Sequence, residues 1–323
     1  MSAAETLETP YPVELQPPDL SPYRAGNGGI PYVTTFDSGK PGPHVMLSAL
    51  MHGNELSGAI ALDTLFKAEI RPRHGRLTLA FLNVAAFERF DPAEPSASRF
   101  VNQDMNRVWS PAILSGEAKT IEVCRARELL PLIDTVDHLL DLHSMQHKTP
   151  PLMLCGLTDK GRSLALCLGY PQWIVSDRGH AAGPRLIEYG EFAQPGSRKS
   201  ALLVESGQHW ERRAPAVALE TVARFLRRFD MVTNDFVQPY LTGGIPPLQN
   251  VVEVTEAVTV TSDAGFAFAD RFIGMEVLEK QGTLIGRDGE TEVRTPYDDC
   301  VLIMPSQRLH KGQTAVRLGR LVR

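Results

Sequence analysis

The chain has 323 residues, of which 43% are apolar and 22% are charged, and its formal net charge is −5. These values are typical of a globular protein with a sizeable core. The mild charge and the lack of a dense Lys/Arg block argue against nucleic acid or an anionic membrane as a partner. No run of about 18 apolar residues occurs, so no membrane-spanning helix is predicted.

The first 29 residues contain five prolines and no regular apolar pattern, which predicts an extended lead-in. This segment has neither the basic start nor the apolar stretch of a secretory signal peptide. The four cysteines form no C-x-x-C pair, as expected for thiols that are kept reduced. We therefore predict a cytoplasmic protein.

After residue 32, short apolar runs alternate with longer amphipathic ones. The short runs predict strands over 45–50, 77–82, 136–142, 152–155, 173–175 and 201–205. The longer runs predict helices over 55–67, 117–130 and 214–229. Several strand-like runs are continuously apolar, as in strands that are covered on both faces. The alternation predicts an α/β domain over residues 1–240, with a mixed, largely parallel sheet flanked by helices.

The texture changes after residue 240. The sequence LTGGIPPLQN is a plausible linker or sharp turn. Apolar runs separated by Gly, Asp and Pro then predict strands over 251–260, 272–277, 282–285 and 300–304. Because no helical pattern stands out there, residues 241–323 are predicted to form a small all-β domain.

The strongest chemical signal is the string LSALMHGNELSGA, in which His52 and Glu55 lie on the turn from a strand into a helix. Ligands of open α/β sheets bind at this carboxyl edge of the strands. The H-x-x-E spacing lets an imidazole and a carboxylate converge on one ion. Zinc accepts such N and O ligands, and catalytic zinc sites commonly have three protein ligands.

The string DHLLDLHSMQH offers a third ligand at the end of another predicted strand. His143 lies at the carboxyl end, and Asp141 could orient its ring. His138 lies at the wrong end of that strand for a site at this edge. His147 follows in the next loop and stays an alternative.

Further polar residues complete the candidate site. Glu205 ends a buried apolar run in ALLVESGQH, where an unpaired carboxylate is costly unless it is functional. A glutamate near a zinc-bound water can act as a general base. The stretch SRFVNQDMNRVW contains Arg99, Asn106 and Arg107, and arginine suits an oxyanion or a carboxylate.

In this order, HGNE, the R-x-x-x-x-D-M-N-R stretch, DLH and VE resemble the succinylglutamate desuccinylase/aspartoacylase family over roughly residues 40–240. The family consists of zinc enzymes with a carboxypeptidase-like fold and a counterpart of the C-terminal β domain. The resemblance implies one zinc ion per chain, held by His52, Glu55 and His143. Met105 stands where the family usually has Leu.

The resemblance also implies roles for the other residues. Glu205 would be the general base, and Arg99 would polarise the scissile carbonyl. Asn106 and Arg107 would bind a substrate carboxylate. A further family arginine upstream of the base binds another carboxylate, and Arg198 is the nearest candidate, although its spacing differs from that of aspartoacylase.

The loop over 177–195 offers other pocket contacts, among them His180, Arg178 and Arg185. We therefore predict a zinc-dependent hydrolase that cleaves the amide bond of an N-acyl amino acid or related small carboxylate. The β domain would cover the active-site entrance and disfavour long chains. The alternatives are a carboxypeptidase acting on short peptides and a catalytically silent metal-binding protein. The expected partner is the small N-acylated substrate, and a homo-oligomer is possible.

Overall fold

The computed structural model describes residues 11–179, 182–243, 248–306 and 309–322. The strands, in chain order, are β1 (Val33–Asp37), β2 (His44–Ala49), β3 (Arg76–Phe81), β4 (His138–Met145), β5 (Leu152–Leu154), β6 (Trp173–Ser176), β7 (Ser200–Gln208), β8 (Asn250–Thr259), β9 (Phe266–Phe268), β10 (Glu276–Leu278), β11 (Leu284–Asp288), β12 (Thr291–Arg294), β13 (Cys300–Ile303) and β14 (Thr314–Val322). The longer helices are α1 (Leu56–Lys67), α2 (Ile121–Ile133), α3 (Asp159–Leu168) and α4 (Ala214–Arg228).

Short helical turns complete the list of elements. They are Ser21–Tyr23, Val84–Phe87, Ala97–Arg99, Met105–Arg107, Pro111–Leu114, Leu186–Glu188, Gly190–Ala193, Asn234–Val237 and Gln238–Tyr240. None of the helices in the described ranges combines the length and the hydropathy that crossing a membrane requires.

One large sheet organises the molecule, with the strand order β1-β3-β2-β4-β7-β5-β6-β8-β14-β13-β10. Strands β3, β2, β4 and β7 are parallel to one another. Strand direction reverses at β5, which is antiparallel to β7, and β6 and β8 then continue parallel to β5. The predicted α/β class with a mixed, largely parallel sheet is confirmed.

Helices cover both faces of the sheet because its central strands are apolar on both sides. Every residue of β2 and β7 is buried. Helices α1, α3 and α4 pack on one face, where Leu62, Leu164 and Phe225 share a core cluster with β2 and β7. Helix α2 packs on the other face together with the turn Leu186–Glu188, and Leu129 and Leu186 lie in that second cluster.

The C-terminal strands are connected to this sheet. Strand β8 pairs with β6, and Val252 lies opposite Val175. Strands β9, β11 and β12 form a separate three-stranded antiparallel sheet. In the described residues from 248 onward, strands occur without helices. The large sheet thus runs across residue 240, and the domain boundary there stays a prediction.

Candidate active site

The carboxyl ends of the parallel strands β2, β4 and β7 meet at one edge of the sheet. His143 pairs in register with Glu205 near the carboxyl ends of β4 and β7. Ala49, the last residue of β2, pairs with Leu142. The turn after β2, which carries His52 and Glu55, therefore lies beside His143.

This turn is tightly packed against neighbouring backbone. Leu50 adopts a left-handed backbone conformation with φ 60°, which is uncommon for a residue with a side chain. Gly53 donates its N–H to the carbonyl of Arg99 at 3.1 Å. A Cβ on Gly53 would lie 2.3 Å from the carbonyl carbon of Ala86 and 2.4 Å from the nitrogen of Phe87. The absence of a side chain at Gly53 thus lets the turn reach the 97–99 segment.

His52, Glu55 and His143 form a buried cluster whose donor atoms all lie within 4.8 Å of one another. His52 Nδ1 is 2.7 Å from Glu55 Oε1, and His143 Nδ1 is 2.9 Å from Glu55 Oε2. The three side chains are at most 4% exposed. The structure thus brings together the three residues that the sequence predicted as metal ligands, with His143 in the third position.

A second carboxylate orients each histidine from behind. His143 Nε2 is 2.7 Å from Asp141 Oδ2, whose other oxygen accepts a hydrogen bond from Ser48 Oγ at 2.7 Å. His52 Nε2 is 2.8 Å from Asp104 Oδ1. When each Nε2–H donates to its carboxylate, Nδ1 is left as the ligand atom that faces Glu55. The donor set, with its outer carboxylates, fits a zinc ion.

The charges of Glu55 and the two histidines stabilise one another. Burial opposes ionisation of Glu55, but His143 and His52 hold the pKa of its carboxyl well below the usual range. Burial also opposes the charge on His143, yet Asp141 and Glu55 raise the pKa of its ring well above the usual value. A carboxylate between two imidazole rings supplies the oxygen and nitrogen donors that a divalent cation such as zinc binds.

Glu205 lies against the cluster as a buried carboxyl with an unused oxygen. It is 7% exposed, and its Oε2 has no hydrogen-bond partner among the described residues. Burial, the largest cause, raises the pKa of Glu205, as does Glu55, whereas His143 and Arg99 lower it, and the resulting pKa is about 8. Such an oxygen can hold and release a proton near neutral pH.

Arg99 is placed at the cluster by Asp104. Its Nη2 donates to Asp104 Oδ2 at 3.0 Å and lies 3.0 Å from His52 Nε2. Its Nη1 is 3.6 Å from Glu55 Oε1. Burial opposes ionisation of Asp104, but His52, Arg99 and Arg107 together hold the pKa of its carboxyl far below the usual range. Asp104 therefore stays charged and positions the ring of His52 and the guanidinium of Arg99.

Asn106 and Arg107 lie beside Asp104, on the turn Met105–Arg107. Asn106 Oδ1 accepts the N–H of Leu186 at 2.9 Å, which fixes the orientation of its amide. Arg107 Nη1 donates to the carbonyl of Asn106 at 2.8 Å, and Nη2 is 3.8 Å from Asp104. Burial lowers the pKa of Arg107 to about 10, so it is still a cation at neutral pH.

The remaining candidates fall elsewhere. Arg198 is exposed and precedes β7, at the opposite end of that strand from Glu205, so the structure does not bring it to the cluster. His180 lies outside the described residues. His138 stacks on Phe229 with 3.9 Å between ring centroids, far from the cluster edge.

Sequence reasoning assigned no role to Asp104 or Ser48, and it offered Arg185 only as a pocket contact. Asp104 and Ser48 contact His52 and Asp141, which are distant from them in sequence, so only the fold shows these contacts. Arg185 is buried and donates to Glu188 Oε1 at 2.6 Å and to Asp177 Oδ2 at 3.2 Å. Burial opposes its charge, but these carboxylates raise the pKa of Arg185 above its usual value. Its charge is therefore already matched within the protein.

Residues 41–172 match the model of the succinylglutamate desuccinylase/aspartoacylase catalytic domain. This range includes the whole His52, Glu55 and His143 cluster together with Asp104. Residues 41–172 thus resemble the catalytic domain of this family. The resemblance predicted from the motifs is thereby confirmed. No curated protein matches the chain in sequence.

Several solved structures share the fold along most of the chain. Succinylglutamate desuccinylase from Vibrio cholerae is 16% identical with a TM-score of 0.65, over 90% of this chain and 86% of that chain. A succinylglutamate desuccinylase from Silicibacter is 19% identical with a TM-score of 0.62, over 90% and 88%. The product-bound ectoine utilization protein from Ruegeria pomeroyi is 18% identical with a TM-score of 0.60, over 90% and 88%. At these identities the likeness concerns the fold.

Proposed function

We propose that the protein is a zinc-dependent hydrolase that cleaves the amide bond of an N-acyl amino acid or a related small carboxylate. The observation that carries the proposal is the buried His52, Glu55 and His143 cluster, with both histidines oriented by outer carboxylates. The family match supports the reaction type. A zinc ion held by these three residues would supply Lewis acidity toward a carbonyl and its attacking water.

Glu205 is proposed as the general base. Its Oε2 is buried and unpaired among the described residues, so it can take the proton of the attacking water. The same carboxyl then returns that proton to the departing nitrogen. Arg99 lies against His52 and Asp104 and is proposed to donate to the oxygen that becomes negative on the carbonyl.

Asn106 and Arg107 are proposed to bind a substrate carboxylate. The amide oxygen of Asn106 is already used by Leu186, which leaves its NH₂ group as the donor for a ligand. Arg107 carries a charge that Asp104 matches only at 3.8 Å. A carboxylate between these two groups would receive charge-assisted hydrogen bonds.

A cytoplasmic location and a small-molecule substrate are part of this proposal. All four cysteines are free, which supports a reducing compartment. The covering of the entrance by residues 241–323 and a homo-oligomeric state are proposed on the sequence alone.

A substrate screen tests the proposed reaction. The zinc-loaded protein is incubated with N-acetyl, N-succinyl and N-formyl amino acids, and with dipeptides of the same amino acids. We expect release of free amine from at least one acyl series at a higher rate than from any dipeptide, and loss of that release after chelation. Faster cleavage of dipeptides would favour a carboxypeptidase, and no turnover of any compound would contradict a hydrolase.

A further inference from the structure

A second cavity lies away from the catalytic cluster. It has a volume of about 450 Å³ and lies beyond the ends of β5 and β6, beside the start of α3. Its walls include Cys155, Gly156, Arg178, Phe192 and Ala201. None of the catalytic candidates His52, Glu55, His143, Glu205 or Arg99 lines it. Ligand sites for small molecules commonly have volumes of roughly 300–1,000 Å³.

The reversal of strand direction explains why a second site can exist. Strand β5 runs antiparallel to β7, with Leu154 opposite Leu203. The carboxyl ends of β5 and β6 therefore point to the edge of the sheet opposite the one that carries Glu205. Ala201, which lines the cavity, is four residues before Glu205, about 13 Å away along an extended strand. Ligands of open sheets bind outside the carboxyl ends of the strands.

Hydrogen bonds and close backbone packing hold the wall of the cavity in place. Lys160, in the first turn of α3, donates to the carbonyls of Glu191 at 2.9 Å and Lys199 at 2.5 Å. These bonds hold the turn Gly190–Ala193 over the cavity. On the side of the catalytic cluster, a Cβ on Gly183 would lie 2.2 Å from the carbonyl oxygen of Arg107. Gly183, which lines the cavity, therefore packs directly against the backbone of Arg107.

The interior of the cavity is mainly apolar. Ile187, Phe192 and Ala201 contribute hydrophobic surface, and burial raises the pKa of the Cys155 thiol to about 12, so it is uncharged. A Cβ on Gly156 would meet no atom within 4 Å, which shows open space beside the loop. Leu157 is 59% exposed at the same loop, an unusual exposure for a leucine. The interior therefore suits an aliphatic chain.

The charged residues that line the cavity differ in whether they are already paired with another residue of the protein. Asp177 and Glu188 both accept hydrogen bonds from Arg185 and are already paired. Arg178 is exposed at the rim, and in the described part of the chain it forms no ion pair. The charge free to meet a ligand is thus a single cation beside an apolar interior.

We propose that this cavity is a binding site for a small amphipathic monocarboxylate, with its chain inside the cavity and its carboxylate at Arg178. The site is separate from the catalytic cluster and does not depend on the proposed hydrolase activity. Octanoate is a suitable probe, with octanol as the uncharged analogue and inorganic phosphate as the anion without a chain.

Isothermal titration calorimetry on the full chain tests the proposal with matched variants. Ala193→Trp places an indole at the exposed edge of the cavity, and Gln194→Trp places one on the adjacent exposed residue outside the lining. We expect one octanoate site in the wild type and in Gln194→Trp, with binding weakened at least about tenfold in Ala193→Trp. Arg178→Gln should weaken octanoate about two- to fivefold and leave octanol unchanged.

The two tryptophan variants should have equal melting temperatures, which keeps loss of binding distinct from loss of folding. Phosphate alone should not bind. Octanoate binding that is equal in Ala193→Trp and wild type would overturn the proposal, as would no binding of octanoate at millimolar concentration. Equal weakening of octanoate and octanol by Arg178→Gln would overturn the assigned position of the carboxylate.

Discussion

Glu55 connects the two histidines of the site because each of its carboxylate oxygens faces one imidazole ring. The contact between Glu55 and His52 was predictable, because a spacing of three residues places both side chains on the same turn. The contact of Asp104 with His52 was not predictable, because nothing local relates residues 52 positions apart. At the scale of residues, sequence patterns therefore indicate the inner ligands more readily than the groups that orient them.

Asp141 is expected to set the metal affinity through His143. The change Asp141→Asn keeps the shape of the side chain but removes the charge that holds Nε2–H. We expect zinc affinity to fall about 10- to 100-fold, as for other carboxylates behind histidine ligands. Competition with a chelating dye measures this affinity. The exposed Asp91→Asn is the control, and an equal affinity for both variants would refute the role of Asp141.

Glu205 is expected to act in catalysis rather than in metal binding. The change Glu205→Gln removes the proton acceptor and leaves the three proposed ligands intact. Hydrolysis of the best N-acyl substrate should slow by about 10²- to 10⁴-fold while zinc content stays at the wild-type level. The exposed Glu117→Gln serves as the control. Wild-type turnover in Glu205→Gln would exclude this residue as the base.

At the scale of elements, the turn after β2 depends on Gly53. The change Gly53→Ala forces a methyl group against the backbone of Ala86 and Phe87, which belong to a helical turn and cannot move freely. We expect a loss of at least about 2 kcal/mol in the free energy of unfolding, measured with urea. Gly28→Ala is the matched control, because no atom lies within 4 Å of its Cβ. It should change stability by less than about 0.5 kcal/mol. Equal stability of the two variants would show that the turn can adjust.

Strand β2 also carries a buried histidine far from the cluster. Burial lowers the pKa of His44 to about 4, and its Nε2 and Nδ1 lie 2.8 Å from Thr78 Oγ1 and 3.0 Å from Thr135 Oγ1. The charged groups that face it are Arg76, Asp137 and Lys199.

Between the folded pKa of His44 and its unfolded value of 6.5, the unfolded chain binds more protons than the folded one. The contribution of His44 to stability is thus complete above pH 6.5 and decreases as the pH falls toward 4, with a slope of at most about 1.4 kcal/mol per pH unit. Urea unfolding at several pH values should show a shallower slope in His44→Gln. An unchanged slope in His44→Gln would show that His44 does not cause this pH dependence.

Most elements of the catalytic part follow from apolar runs, and the exceptions have physical reasons. Strand β1 was missed because its sequence VTTFD alternates polar residues at a sheet edge. Helix α2 begins at Ile121 rather than 117, since Thr120 caps it by accepting the N–H of Val123. Helix α3 was missed because Gly161 and Arg162 interrupt its apolar pattern. Strand β14 was missed because Arg317 and Arg320 interrupt its apolar run, and its partner β8 is far away in sequence.

At the scale of the whole molecule, one sheet carries the carboxyl ends of β2, β4 and β7 at one edge and those of β5 and β6 at the opposite edge. Local sequence indicates where strands are but not the direction in which each one runs, so the reversal at β5 could not be predicted. The same reversal separates the catalytic edge from the edge that bears the second cavity. The pairing of β8 with β6 likewise links residues beyond 240 to the catalytic sheet.

The zinc content of the purified chain and of its histidine variants tests the central claim most directly. After reconstitution and removal of loose metal, elemental analysis should give one zinc ion per wild-type chain. His143→Ala should lose this zinc, whereas His147→Ala, the former alternative ligand, should keep it. Retention of stoichiometric zinc by His143→Ala, or its loss from His147→Ala alone, would contradict a site built from His52, Glu55 and His143.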